Sequence, residues 1–208
     1  MTPEGQQHEM QKTKTYRTDD RIVSISQPHV RLIVRGKVSV ATEFGAKIGI
    51  SVEEGFARCE IISWDAFNEG NTLKEAVERY KERNGFYPAV VLADKIYRNR
   101  DNRKYCIKNQ IRLSGPALGR KTEDVKKEEQ KLAYQDSCER NQVEGKFGEG
   151  KRKYSLGKVM MKLAKTSETA IILSLIVMTL EKSLRVLLCQ ILKWISFWCF
   201  NPNMEFEN

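Results

Sequence analysis

Two carboxylates and a set of cations in this sequence have the types and spacing for phosphate chemistry. Asp94 closes the apolar run "AVVLA" (89–93), and the next eighteen residues, Lys95 to Arg112, hold seven bases against one acid, Asp101. A lone carboxylate at the end of a buried strand would become neutral. One that stays ionised needs a cation beside it, either a divalent metal or the adjacent Lys95. Further along, Arg140, Glu144 and Lys151 stand four and seven residues apart, and all three project from one face if a helix runs through Gly145. One acid between two bases suits a metal-bound phosphodiester: the carboxylate takes the metal and the cations take the phosphate oxygens. Each feature also has a plainer explanation. Asp94 can cap a turn, Arg140, Glu144 and Lys151 can form a surface salt-bridge ladder, and Arg98, Arg100, Arg103 and Lys104 can be a solvated helix face.

The elements that would position these residues follow from local pattern. "EFGAKIGISVEEGFARCEIISW" (43–64) holds two apolar runs separated by "EEG", whose glycine supplies the turn of an antiparallel hairpin. "HVRLIVRGKV" offers a further strand. "NTLKEAVERYKERNG" (71–85) is the clearest helix, with Thr72 and Glu75 spaced as a capping box, Leu73, Ala76, Val77 and Tyr80 on one face, and Gly85 as its stop. The strand 89–93 follows Pro88, then a helix, then the strand "QIRLSG". "GPALGRKTEDVKKEEQKL" reads as a loop leading into a solvated helix, with the Lys/Glu segment 121–131 on its surface. A last helical stretch, Ser155 to about Trp198, is apolar on all sides after Thr169. Hairpin, helix, strand, helix, strand and helices make a mixed α/β sheet with helices packed on it.

Composition sets the class. The 208 residues suit one domain with tails, and 40% hydrophobic with 30% charged residues fit a globular protein with an ionic surface. Lys and Arg number 36 against 27 Asp and Glu, a net charge of +9 that favours a polyanionic partner. Five cysteines without a C-x-x-C pair write neither a disulfide framework nor a zinc ribbon, which fits a reducing cytosol and a cytoplasmic location. His8 and His29 lack a partner at ligand spacing. No signal peptide opens the chain, and "TAIILSLIVMTL" (169–180) is too short to span a membrane, for which roughly 20 apolar residues are needed, so it is expected as a buried core helix.

Several phrases, in order, carry a family resemblance: "RIVSISQPHVRLIVRGK", "EFGAKI", "ISWDAFNEG", "RYKERNGFYP", "VLADKIYRNRDNRKYC", "IRLSGPALGR" and "ERNQVEGKFGEGKRKYSLGKVMMKL". From about Asp20 to Arg185 the chain resembles the C-terminal catalytic part of a bacterial insertion-sequence DDE transposase. The resemblance implies a ribonuclease-H-like fold, with two Asp and one Glu holding two Mg²⁺ or Mn²⁺ ions that cut and join DNA. It equates the second Asp with Asp94. The Arg, Glu and Lys of the family's Tyr-Arg-Glu-Lys signature fall on Arg140, Glu144 and Lys151, with Ser137 where its Tyr belongs and Tyr134 one helical turn earlier. Asp94 and Glu144 become catalytic and metal ligands, and Arg140 and Lys151 hold DNA phosphates. Arg98, Arg100, Arg103 and Lys104 steer the DNA backbone. Neither Asp19 nor Asp20 ends an apolar strand, so the resemblance places the strand bearing the first Asp upstream of Met1, and the chain is read as truncated there.

The expected organisation is a disordered arm (1–19), a partial ribonuclease-H-like catalytic domain (20–182) lacking its first strand, and an apolar helix and tail (183–208). With two acids of three, a metal pair would lack its shared ligand, and two bare ions about 4 Å apart repel strongly. Cleavage and strand transfer are therefore expected of the intact family enzyme rather than of this chain alone. Two readings compete with it: a non-catalytic basic protein held to double-stranded DNA by phosphate contacts, and an assembly partner that pairs through Leu184, Leu187, Leu188, Ile191, Trp194 and Ile195. A homo-oligomer is compatible with all three, and no membrane is implied.

Overall fold

The structure, a computed structural model, describes residues 2–15, 18, 20–34, 42–115 and 123–200. Asp19, most of the 115–122 loop and the tail beyond Phe200 lie outside the described residues.

A helix, α1 (Pro3–Thr13), occupies most of the stretch expected as a disordered arm. Thr2 caps it, Pro3 suits its first position, and Gln6 ties it down: its side chain accepts from the Ile22 amide at 2.9 Å and donates to the Asp20 carbonyl at 3.1 Å. Polar composition concealed this anchor because it joins residues distant in sequence.

The fold is mixed α/β, and among the described residues the expected single sheet takes the form of three two-stranded sheets. β1 (Leu32–Val34) pairs antiparallel with β2 (Thr42–Phe44). β3 (Lys47–Glu53) and β4 (Phe56–Ser63) form the predicted hairpin, turning through Glu54 at φ 51° and Gly55 at φ 82°. Left-handed backbone at both loop residues matches the strand twist in a two-residue turn. β5 (Val90–Val91) and β6 (Arg112–Leu113) are parallel and only two residues long. Their ladder stops because a side chain takes over: the Ser114 hydroxyl accepts from the Ala93 amide at 3.0 Å and donates to the Ala93 carbonyl at 3.3 Å.

Helix α2 (Leu73–Asn84) ends at Gly85, in left-handed backbone, as its sequence predicts. The capping box does not form. A 3₁₀ turn, Glu69–Asn71, runs directly into the helix and leaves Thr72 in helical backbone, its hydroxyl donating to the Glu69 carbonyl at 2.9 Å. Glu75 pairs with Arg79 at 2.5 Å instead. Arg79 and Arg83 reach across to Glu60 on β4, whose carboxylate also accepts from Ser51 at 2.5 Å. Helix α3 (Arg100–Lys108) follows a second 3₁₀ turn, Lys95–Tyr97. Leu73, Val77, Cys106 and Ile111 form a core among α2, α3 and the β5–β6 pair.

Helix α4 (Glu123–Lys153) is one 31-residue element that runs through Gly145. The last helix, α5 (Ala164–Phe200), starts later than expected, because Ser155 at φ 59° breaks the chain and Leu156 packs over Gly150, where no Cβ would fit. α5 lies along the hairpin, with Trp64 donating to Glu168 at 2.8 Å and Thr179 to the Ala57 carbonyl at 3.0 Å, and Lys182 against the Gly55 turn. Ile171, Leu175 and Met178 are buried, the last two in a cluster with Ala57. The expectation of a buried core helix over 169–180 therefore holds for one face only, since Ile172, Leu173, Ile176, Val177 and Leu180 on the other face are exposed. Every residue from 183 to 197 is exposed.

Candidate functional site

Asp94 sits three residues beyond the β5 ladder, extended at φ −67° and ψ 164°, with its carbonyl accepting the Tyr97 amide at 3.0 Å. A buried amide holds that turn in place. Asn102 on α3, 1% exposed, donates to the Gly70 carbonyl at 2.6 Å and the Tyr97 carbonyl at 2.8 Å, fastening both 3₁₀ turns to the helix. Asn99 caps α3 and donates to the Gly70 carbonyl as well. Gly70 allows this crossing, because a Cβ there would lie 2.6 Å from the Ile96 carbonyl oxygen.

The second wall is α4. Arg112, on β6, donates twice to Asp136, each bond at 2.8 Å, and this planar fork pins α4 beside the β5–β6 pair. The bonded carboxylate, with its charge, holds the Arg112 pKa above its ordinary value. One turn along α4, the Arg140 guanidinium meets the Asp94 carboxylate at 2.8 Å. Glu144 follows a turn later and Lys151 two turns after that, on the same face. Asp94, Arg140, Glu144 and Lys151 all line one open cleft of about 1770 Å³, with Tyr97 and Phe147 also on its walls.

The bases between residues 98 and 104 lie elsewhere. Arg98, Arg100, Arg103 and Lys104 do not line the cleft. Arg98 is half-buried with its guanidinium against Gly115, so close that a Cβ there would meet Nη1 at 2.5 Å, and burial, then the neighbouring Arg103, lowers its pKa. Arg103 is half-buried too, whereas Arg100 and Lys104 are exposed one turn apart. Asp20 stands outside the cleft, 4.0 Å from Arg31.

The donor set decides what metal chemistry these residues could serve. Among the described residues no three acidic, thiol or imidazole side chains gather closely enough to cage an ion. The Asp94 side chain, 68% exposed, has Arg140 on one oxygen. A two-ion centre needs a carboxylate shared between the metals, which Asp94 and Glu144 do not supply between them. The pair does not fit a complete two-metal centre.

Sequence pattern missed the Arg112–Asp136 fork and the Asn102 anchor. Asp136 stands four residues before Arg140, a spacing that would suggest a pair within the helix, whereas Asp136 takes Arg112 and Arg140 takes Asp94.

Residues 91–181 match the family model described as transposase DDE domain. Asp94, Arg140, Glu144, Lys151, Arg98, Arg100, Arg103 and Lys104 all fall inside that stretch. Comparison with curated proteins and with solved structures gives no match. Among the described residues no helix is long and apolar enough to cross a membrane.

Proposed function

From a transposase DDE domain match over residues 91–181, we propose that this chain binds double-stranded DNA in the Asp94–Glu144 cleft and does not cleave it alone. The function is related to transposition. Transposase DDE domains generally use divalent metals; Asp94 and Glu144 are the two acids this chain would contribute to such a centre, in a ribonuclease-H-like frame with which the small sheets and flanking helices are compatible. In the intact family enzyme that centre cuts and joins transposon ends and target DNA. Here the incomplete donor set leaves phosphate binding as the property these residues can carry. A cytoplasmic location follows from the same reading.

The observation that carries it is the shared cleft: Asp94, Arg140, Glu144 and Lys151 line one opening, where Arg140 meets Asp94 at 2.8 Å. Lys151 supplies one positive charge to a phosphate. Arg140 supplies a second once it leaves Asp94, an exposed pair worth only about 0–1 kcal/mol, so DNA can displace it. The exposed Arg100 and Lys104 extend the basic surface beyond the cleft.

Titrating a DNA duplex at several salt concentrations, with and without Mg²⁺ or Mn²⁺, tests the proposal. Affinity should fall linearly with salt on logarithmic axes, and Lys151→Gln should reduce that slope by about 1. No strand cleavage should accompany binding in either metal. Binding unchanged by Lys151→Gln and Arg140→Gln together would remove the cleft as the DNA site, and metal-dependent nicking by the unaltered chain would overturn the inactive half.

A further inference from the structure

We infer that Gly148 is a positioning residue of the Asp94–Glu144 cleft: its missing side chain lets a DNA strand lie against the α4 backbone between Glu144 and Lys151. The inference rests on DNA binding in that cleft.

Glycine inside a helix needs a reason, because only proline forms helix less readily. A helix or turn keeps it where a Cβ would clash or where φ is positive. Among the glycines described between residues 45 and 157, one or the other holds for every position except Gly145 and Gly148: each of the rest has a positive φ or an atom within 3.4 Å of a Cβ. Gly150, two residues on, is explained by Leu156 packed over it. Gly148 has no such neighbour. The nearest atoms to a Cβ there are the Arg152 guanidinium nitrogens at 3.9 Å, the far end of a flexible chain. Alanine would fit and would suit the helix better. The two unexplained glycines differ in place: Gly145 is exposed and off the cleft, whereas Gly148 is half-buried and lines it.

The space at Gly148 therefore serves something outside the chain. Gly148 comes one turn after Glu144 and one turn before Lys151, so a side chain there would stand between the two. Without one, this part of the wall is bare backbone, with Arg140 two turns behind and Lys151 ahead. A missing Cβ permits a ligand to approach the backbone closely. A compact anion would gain little from that, since the tip of Lys151 can hold it away from the helix. A linear polyanion must run past Lys151 along the wall, and close seating brings its phosphates to Lys151 and Arg140 together.

Thermal unfolding and titration of a DNA duplex at fixed salt, both on the full chain, test the inference. Gly145→Ala and Gly148→Ala should each raise the melting temperature by about 2–4 °C, since alanine favours the helix. Gly145→Ala should leave the dissociation constant within about twofold. Gly148→Ala should raise it about tenfold, the loss of one charge-assisted contact. In a Lys151→Gln background that loss should shrink to about threefold or less, because the contact it guards is already gone. A Gly148→Ala chain that is more stable and binds DNA as well as the unaltered one overturns the inference. So does a less stable one, which would make the glycine a packing requirement. If Lys151→Gln with Arg140→Gln leaves binding unchanged, the cleft is not the DNA site, and the inference falls with the proposed function. If that pair weakens binding and Gly148→Ala does not, the positioning role alone fails.

Discussion

The two long helices use regular spacing for opposite ends. On α4 the rows are charged and many of their members have partners: Asp136 holds Arg112, Arg140 holds Asp94, and Glu149 holds Lys146 at 2.9 Å. On α5 the rows are apolar; one is buried against the hairpin and another faces outward along the whole length. Charged rows place a helix at a chosen angle and offset through directional bonds, which suits a wall of a cleft. Apolar rows give adhesion without direction, which suits docking. The helix carrying the candidate chemistry is thus held by geometry, and the helix carrying no chemistry by area.

The sharpest way to break this contrast is to cut the buried row of α5. Leu175→Ala or Met178→Ala should lower the unfolding free energy by about 2–5 kcal/mol in urea denaturation. Leu187→Ala, measured at concentrations where the chain is monomeric, should stay within about 0.5 kcal/mol. Equal losses would mean that the two rows are not distinct. Next in size is Asn102→Ala, which strands the Tyr97 carbonyl, leaves the Gly70 carbonyl with Asn99 alone, and should cost about 1–3 kcal/mol. The same substitution loosens the turn bearing Asp94, so amide exchange at Tyr97 and Arg98 should quicken along with the loss.

On α4 the expected effects are smaller and coupled. Arg112→Met and Asp136→Leu together should be less harmful than either alone, with a coupling of about 1–3 kcal/mol in a double-mutant cycle; additive losses would deny the fork its role. Arg140→Gln should change stability by less than about 1 kcal/mol, since its pair with Asp94 is largely solvated.

Acid provides the mildest perturbation. The Tyr105 hydroxyl, with further help from Tyr87, holds the Glu78 carboxyl below its ordinary 4.5, Lys146 does the same for Glu149, and Tyr154 with Arg185 for Glu181. A depressed carboxyl contributes stability that is complete above its unfolded value and is lost as pH falls through the folded one. The melting temperature should therefore be flat just above the ordinary 4.5 and decline below it. In Glu149→Gln and Glu181→Gln variants that decline should be shallower.

What could be read from the sequence was what neighbours in the chain decide. The Glu54–Gly55 turn, the stop of α2 at Gly85 and the shared face of Arg140, Glu144 and Lys151 each depend on a few adjacent residues. The thwarted Thr72 box shows the limit of that reasoning, since the turn preceding it had already placed Thr72 in helical backbone. The joining of Gln6 to Ile22, of Asn102 to Gly70 and of Arg112 to Asp136 depends on tertiary placement, which no window of ten residues contains. For the candidate site, pattern singled out Asp94 and Arg140, which pair, and Glu144 and Lys151, which line the same cleft, but gave Arg98 and Arg103 the same weight as Arg100 and Lys104. Their burial separates them, and positive charge alone does not reveal it.

Gly145, Gly148 and Gly150 all fall between Glu144 and Lys151. Each gives up about 1 kcal/mol of helical preference relative to alanine, so this is the segment of α4 with the least intrinsic reason to stay coiled. Along the rim of the cleft, intrinsic helical preference is therefore lower before Lys151 than at Arg140. A polymer lying along this wall would meet first a segment held by directional bonds and then one with less preference for the helix.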